Sequence, residues 1–226
     1  CQEDIELVKR GDENSFLFFL NPIFKGHYSD YILNQMRNEG TLPDINPGDL
    51  ELISQPIDFY GLNVYNRILV SRDPNFSTDP ATAHLKKENK IVGGNFLDNG
   101  QEFYPKSVYD AVKLLKEDFE VNIPIYITEN GAYNCNEELV DGHVHDIDRI
   151  KYIEGFLHWT KKAIDEGNDI RGYYVWSLMD NYEWAAGYNR RYGLIHVDVE
   201  TQKRIWKDSA YWYKNVIEKN VLPVTS

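Results

Sequence analysis

Residues 123–131 read Ile-Pro-Ile-Tyr-Ile-Thr-Glu-Asn-Gly, an apolar run that ends in polar residues and a glycine. Two further apolar runs occupy residues 57–62 (Ile-Asp-Phe-Tyr-Gly-Leu) and 170–176 (Ile-Arg-Gly-Tyr-Tyr-Val-Trp). Apolar residues that follow one another without alternation are typical of strands covered on both faces, as in parallel sheets. The sequence therefore predicts three buried strands, at 57–62, 123–127 and 170–176.

Helical periodicity separates these three runs. Between residues 105 and 118 the apolar positions recur at intervals of three and four, and Pro105 is placed to open a helix. Three more helices are predicted, over 3–20, 148–166 and 206–219. Strands that alternate with helices over long connections indicate a parallel α/β sheet.

The segment 70–101 is polar and contains glycines and two Asp-Pro pairs. We expect it to be a long excursion at the end of a strand, which in an α/β barrel would build the rim of the active site. Three strands are too few for a closed barrel of eight, and alone they would leave exposed sheet edges. Either the other strands lie elsewhere or the chain pairs with another segment.

The chain is acidic, with 36 Asp and Glu against 24 Lys and Arg in 226 residues and a formal net charge of −12. Such a charge repels phosphate backbones, so we expect no nucleic-acid partner. The 16 Tyr and five Trp would suit the apolar faces of sugars, but they could equally fill a large core. Composition alone does not separate these two interpretations.

The two cysteines, Cys1 and Cys135, form neither a disulfide framework nor a metal cluster. His143 and His145 are interpreted as loop residues and His196 as a structural residue, because their spacing is not that of metal ligands. No apolar run approaches the ~20 residues that a membrane span needs, and no signal-peptide pattern is present. We therefore expect a cytoplasmic protein with no cofactor, no metal and no membrane partner.

Glu129 directly follows the predicted strand at 123–127. Its side chain is therefore expected at the carboxyl end of that strand, where barrel enzymes place catalytic groups. A carboxylate in this position can attack an anomeric carbon and form a covalent glycosyl intermediate. The alternative is a helix cap or a turn residue on a surface loop.

Two motifs together resemble glycoside hydrolase family 1, the β-glucosidases: Ile-Thr-Glu-Asn-Gly at 127–131 and Trp-Ser-Leu-Met-Asp-Asn-Tyr-Glu-Trp at 176–184. Further matching segments extend the resemblance over nearly the whole chain, at 21–26, 58–65, 191–198 and 207–213. The resemblance implies an α/β fold in which residues 1–226 are the C-terminal portion, about the last three βα units, of a (β/α)8 TIM barrel. The N-terminal strands of that domain would be absent from this sequence.

The resemblance also implies roles for individual residues. Glu129 matches the catalytic nucleophile, Tyr65 matches a tyrosine whose hydroxyl orients that nucleophile, and Asn63 matches an asparagine beside it. The substrate-binding residues would further include Trp176 as an apolar floor under the sugar, Glu183 as an acceptor from sugar hydroxyls, Trp184 as an indole donor, and Tyr192 in the glycone pocket. Taken without the family, Trp176 and Tyr65 could be ordinary core residues, whereas a buried Glu183 would need partners.

Two positions bear on the substrate. Relatives that act on 6-phosphorylated sugars have a small hydroxyl residue where this chain has Trp184, and a tryptophan cannot provide charge-assisted contacts to phosphate. The resemblance thus implies a non-phosphorylated glycone, glucose first, with fucose or galactose tolerated. Gln101 stands where the family commonly has a tryptophan that lines the aglycone site, which implies a smaller or more polar aglycone.

Retaining glycosidases need two carboxylates about 5 Å apart, a nucleophile and a general acid/base. In the family the second is the glutamate of Asn-Glu-Pro, and no Asn-Glu-Pro occurs in this sequence. We therefore expect retaining hydrolysis of β-D-glucosides through Glu129 only when an N-terminal half-barrel supplies the acid/base. The isolated chain is expected to be inactive on unactivated glycosides. The alternative is a non-catalytic sugar-binding or assembly fragment.

Overall fold

The computed structural model describes residues 2–67, 102–133 and 137–222. Its α-helices are α1 (Gln2–Glu13), α2 (Leu17–Leu20), α3 (Asp30–Glu39), α4 (Asp49–Ile53), α5 (Ser107–Asp118), α6 (Ile147–Asp165) and α7 (Asp208–Lys219). Its strands are β1 (Tyr60–Asn63), β2 (Ile125–Asn130), β3 (Glu138–Val140), β4 (His143–His145), β5 (Ile170–Val175), β6 (Ile195–Val197) and β7 (Arg204–Trp206). The predicted excursion at 70–101, with Gln101, and both cysteines lie outside the described residues.

A parallel sheet of three strands, in the order β1–β2–β5, organises the described residues. These are the three predicted strands, with shifted bounds. β1 begins at Tyr60 rather than at residue 57, and β2 continues to Asn130. Glu129 therefore lies within the last residues of β2, not after it.

The expectation that all three strands are covered on both faces is correct only for part of the sheet. Ile125 and Ile127 of the central strand β2 are buried, but exposed and half-buried residues mix along β1 and β5. Within the described residues, β1 and β5 each pair with β2 alone. Both are edge strands of this sheet.

Helices α5 and α6 cover the sheet and form the core. Val108, Val112 and Leu115 of α5 are almost fully buried against Ile153 and Phe156 of α6. α7 packs on α6 in turn. Since these apolar positions recur at helical spacing, burial of one face explains why α5 and α6 were predictable.

Other predicted helix bounds need correction. The predicted helix 3–20 is broken after Glu13, because Asn14 and Ser15 turn their side chains back onto main-chain carbonyls, each at 2.8 Å, and compete with the helical pattern. α5 begins two residues after Pro105. α7 begins at Asp208, because residue 206 pairs within the β6–β7 hairpin.

Two antiparallel hairpins, β3–β4 and β6–β7, and the helices α3 and α4 were not predicted. His143 and His145, interpreted above as loop residues, belong to β4. Their side chains lie on the exposed face of that strand, while Val144 between them is buried. Within the described part of the chain, no helix has both the length and the apolar character required to cross a bilayer.

Candidate active site

The carboxyl ends of the three parallel strands meet at one edge of the sheet. Glu129, near the end of β2, is paired in register with Asn63, the last residue of β1. Trp176 directly follows β5, and its N–H donates to the Asn130 carbonyl at 2.8 Å. Three residues predicted for the site thus lie at this edge, the position at which barrel enzymes carry their catalytic groups.

Tyr65 contacts Glu129 directly. The Tyr65 hydroxyl donates a hydrogen bond to Glu129 Oε2 at 2.9 Å. One residue earlier, the Val64 N–H donates to the Glu129 carbonyl at 3.0 Å, so main chain and side chain are both held. Burial raises the pKa of Tyr65 well above its ordinary value, and the hydrogen bond to Glu129 and its charge add to the effect. Tyr65 therefore remains a neutral donor at physiological pH.

A buried polar network lies beneath this pair. Asn130 is fully buried, and its Nδ2 donates to the Val64 carbonyl at 2.7 Å. The Tyr173 hydroxyl donates to Asn130 Oδ1, and burial raises the pKa of Tyr173 well above its ordinary value. The Tyr152 hydroxyl donates to the Tyr65 carbonyl at 2.5 Å. The side chains of Asn130 and Tyr152 thus fix the main chain at Val64 and Tyr65, next to the Tyr65–Glu129 contact.

Gly131 is required by a close approach of two chain segments. A Cβ atom at this position would lie 1.9 Å from the Trp176 carbonyl oxygen. The Trp176–Ser177 peptide bond is cis. Trp176 is half-buried and lines a cavity of about 450 Å³ together with Tyr182 and Arg191. It is therefore not the fully enclosed core residue that an apolar run alone suggests.

Tyr192 connects the nucleophile edge to the loop that carries Glu183. Its ring centroid lies 6.2 Å from that of Tyr65, edge to face, and 5.3 Å from that of Tyr133. Burial raises the pKa of Tyr192, and the charge of Glu183 raises it further. Glu129, Tyr65 and Tyr192 are therefore neighbouring side chains, and Glu183 is near enough for its charge to act on Tyr192.

Asn63 and Trp184 differ from the other predicted residues in their surroundings. Asn63 is exposed, and its Oδ1 accepts a hydrogen bond from Thr128 at 2.7 Å, which orients the amide. Trp184 is 82% exposed and has a positive φ of 43°, while a bond from the Glu183 N–H to the Gly187 carbonyl at 2.7 Å closes the loop around it. A bulky side chain in the left-handed region is unusual and costs ~1–3 kcal/mol.

A buried cluster of charges holds the loops of the site together. Fully buried Arg149 donates to the carbonyls of Ala132 and Tyr192, the latter at 3.0 Å, and also to the Glu137 carboxylate. Ala132 lies just beyond the Glu129 motif, so one guanidinium ties the end of β2 to the Tyr192 segment. This supports the placement of both segments without touching the candidate nucleophile.

Lys207 forms the second half of the charged cluster. Its buried ammonium lies 2.7 Å from the Glu137 carboxylate and 2.9 Å from that of Asp180, and burial lowers its pKa. The carboxylates of Glu137 and Asp180 lie with His196 in a group compact enough for a metal ion, but the Lys207 ammonium already bridges the two carboxylates. His196 is buried, with its pKa lowered by burial and by Arg191.

Asn130, Tyr152 and Arg149 had no role predicted from the sequence. Asn130 could have been noticed, because it directly follows Glu129 within the motif. Tyr152 fits the apolar face of its helix and therefore reads as core, and Arg149 reads as one of several charges near the start of the same helix. The partners of Asn130 and Tyr152 lie far away in sequence: 66 residues separate Asn130 from Val64, and 87 separate Tyr152 from Tyr65.

Comparison with known proteins identifies the family. The family model described as glycosyl hydrolase family 1 matches residues 1–222. Beta-glucosidase A of Thermotoga maritima is 41% identical over 223 residues, which is 98% of this chain and 48% of that protein. A bifunctional beta-D-glucosidase/beta-D-fucosidase of Bifidobacterium breve is 37% identical over 228 residues, covering 96% of this chain and 49% of its own length.

Solved structures agree with the sequence relatives. The β-glucosidase of Exiguobacterium antarcticum superimposes with a TM-score of 0.80 and 40% identity over 95% of this chain and 47% of that one. The Thermotoga maritima β-glucosidase in complex with castanospermine superimposes with a TM-score of 0.82 and 38% identity, over 99% of this chain and 48% of that one. The chain spans about half the length of these relatives. It belongs to glycosyl hydrolase family 1, and the expected fold class, a portion of that family's (β/α)8 barrel, is confirmed.

Proposed function

We propose that this chain carries the nucleophile side of a β-glucosidase active site and takes part in retaining hydrolysis of β-D-glucosides. The observation that carries the proposal is the 2.9 Å hydrogen bond from Tyr65 to Glu129 at the carboxyl edge of the sheet. This hydrogen bond holds the Glu129 carboxylate in a defined orientation, at the edge of the sheet where enzymes of this fold carry their catalytic groups. Membership of a family whose relatives are named β-glucosidases gives the reaction class.

The reaction follows from the position of one carboxylate. Glu129 Oε1 attacks the anomeric carbon while Tyr65 holds Oε2, the glycosidic bond breaks, and an acid protonates the departing oxygen. The product of this step is an α-linked glucosyl ester on Glu129. Water then attacks the same carbon with its proton taken by the former acid, which frees the carboxylate and releases glucose with its β configuration retained.

Glucose hydroxyls and the sugar face would be bound by the residues around this edge: Asn63, Trp176, Glu183, Trp184 and Tyr192. Exposed Trp184, held at a costly backbone angle, supports a binding role, because strained exposed residues concentrate at ligand sites. We assign a non-phosphorylated glycone, since Trp184 provides no charge for a phosphate. The Bifidobacterium breve relative, named as a glucosidase and fucosidase, supports tolerance of fucose.

Catalysis also needs the acid/base carboxylate. The sequence contains no Asn-Glu-Pro, and the chain matches about half of each relative. Our proposal is that an N-terminal half-barrel brings this group and pairs with the open strands β1 and β5. The chain alone would then not turn over unactivated glucosides, because an alkoxide leaving group requires protonation.

The test uses the complete enzyme, which is this chain together with the N-terminal half-barrel. It measures turnover of an aryl β-glucoside after the substitution Glu129→Gln. This change keeps the shape of the side chain and an acceptor for Tyr65 but removes the nucleophile, so a loss of about 10⁴-fold or more in kcat is expected. Glu166→Gln is the matched control, since Glu166 also accepts a tyrosine hydroxyl, that of Tyr109 at 2.7 Å, at the far end of α6. Normal turnover by Glu129→Gln would refute the assignment.

A further inference from the structure

Tyr152 is a fully buried tyrosine on α6 whose hydroxyl contacts a main-chain carbonyl and a side-chain amide of the site. Its ring packs between Phe103 and Phe156, with centroid distances of 5.9 and 4.6 Å. Its hydroxyl donates to the Tyr65 carbonyl at 2.5 Å and lies 3.4 Å from the Nδ2 of Asn130. A rigid helix in the core therefore holds the segment that carries Tyr65.

This hold matters because Tyr65 lies beyond the regular strand pairing. β1 ends at Asn63, and its register with β2 already shifts between Leu62 and Asn63. At Tyr65 the carbonyl is held by a side chain from the helix layer instead of by a neighbouring strand. The same residue's hydroxyl then reaches Glu129 at 2.9 Å. The position of that hydroxyl depends on where the Tyr65 main chain is fixed.

We infer that Tyr152 is a positioning residue for the glycosylation step: its hydroxyl fixes the main chain of Tyr65 and thereby sets the Tyr65–Glu129 hydrogen bond. The inference rests on the proposed function, in which Glu129 is the nucleophile. A misplacement of ~1 Å in a reacting group can cost ~100-fold in rate. A group that never touches substrate can thus govern the reaction through Tyr65.

The experiment compares Tyr152→Phe with Tyr213→Phe in the complete enzyme. The Tyr213 hydroxyl also donates to a tyrosine carbonyl, that of Tyr173 at 2.9 Å, so both variants lose the same kind of bond. Tyr173, however, is held within β5 by its pairing with Ile127, and loss of the Tyr213 hydroxyl should not move the nucleophile edge. The two variants are expected to show similar decreases in the urea midpoint of unfolding, because each loses one hydrogen bond of the same kind.

The readout is the rate of trapping by the 2-deoxy-2-fluoro-β-D-glucoside of 2,4-dinitrophenol, whose leaving group needs no acid. At saturation, Tyr152→Phe should be trapped ~10-fold or more slowly than the wild-type enzyme, with reagent affinity changed less than ~2-fold. Tyr213→Phe should be trapped at the wild-type rate. In a Tyr65→Phe background, Tyr152→Phe should slow trapping no further, because it acts through Tyr65.

Three results overturn the inference. If Tyr152→Phe is trapped at the wild-type rate, Tyr152 has no positioning role. If trapping of Tyr152→Phe and Tyr213→Phe is slowed equally, the role of Tyr152 is only structural. Additive slowing in the Tyr65→Phe background shows that Tyr152 acts by another route. Failure of the proposed function is recognised separately, since the wild-type enzyme itself would then form no adduct on Glu129, and the positioning role would fall with it.

Discussion

Gly131→Ala is the substitution whose effect follows most directly from the structure. A Cβ atom at this position would lie 1.9 Å from the Trp176 carbonyl oxygen, whereas ordinary contact begins at 3.4 Å. The obstacle is main chain, not a flexible side chain, so the ends of β2 and β5 must separate. Overpacking of this kind costs ~1–3 kcal/mol, and the hydrogen bond from the Trp176 N–H to Asn130 at 2.8 Å contributes ~1 kcal/mol more if broken.

The expected result for Gly131→Ala is therefore a loss of ~2–4 kcal/mol in the free energy of unfolding, measured by urea titration of tryptophan fluorescence. Because Glu129 is two residues away, trapping by the fluoroglucoside should also slow by ~100-fold. Gly11→Ala is the control: it lies within α1 with nothing within 4 Å of an added Cβ, so the gain should be ~0.5–1 kcal/mol. Wild-type stability and trapping in Gly131→Ala would refute the reasoning.

Three further predictions concern charge and binding. Lys207→Met leaves two buried carboxylates without their shared ammonium, so the free energy of unfolding in urea should fall by ~3–5 kcal/mol. The control Lys161→Met removes an exposed ion pair and should change that free energy by no more than ~0.5 kcal/mol. Equal effects of the two substitutions would contradict the buried cluster. The hydrogen bond to Asp208 raises the pKa of His145 above its ordinary 6.5, so its stabilising contribution is present below pH 6.5 and lost as the pH rises through the folded-state value. The stability difference between wild type and His145→Gln should therefore shrink from pH 6 to pH 9, and a constant difference would argue against this linkage. In the complete enzyme, Trp184→Ala should raise KM for an aryl β-glucoside by ~10-fold, the value of the one hydrogen bond that the indole N–H can donate. Hydrolysis of the 6-phosphoglucoside better than the glucoside by the wild type would exclude the proposed glycone.

The sheet and the position of Glu129 could be predicted because the signals are local. Each apolar run is short and contiguous, and a glutamate at the end of a parallel strand must lie at the carboxyl edge of the sheet. The motifs that resemble the family then gave the fold class, which the comparisons confirm. The domain span 1–226, the individual site roles and a cytoplasmic location stay predictions.

The support of the site could not be predicted because it depends on partners that are distant in sequence. The Tyr152 hydroxyl and the Tyr65 carbonyl are 87 residues apart, and the Lys207 ammonium and Glu137 are 70 apart. Nothing in local periodicity distinguishes a core tyrosine from one whose hydroxyl holds a catalytic segment. The hairpin β3–β4 was missed for a different reason: its strands have three residues each, too few for a periodic pattern to indicate a strand.

The most direct test of the central claim is the location of the covalent adduct. The complete enzyme is inactivated with the 2-deoxy-2-fluoro-β-D-glucoside of 2,4-dinitrophenol, digested at low pH and sequenced by mass spectrometry. Our account predicts one fluoroglucosyl group, carried by Glu129 in the peptide that contains Ile-Thr-Glu-Asn-Gly. An adduct on another carboxylate, such as Glu183, or inactivation without an adduct would contradict it.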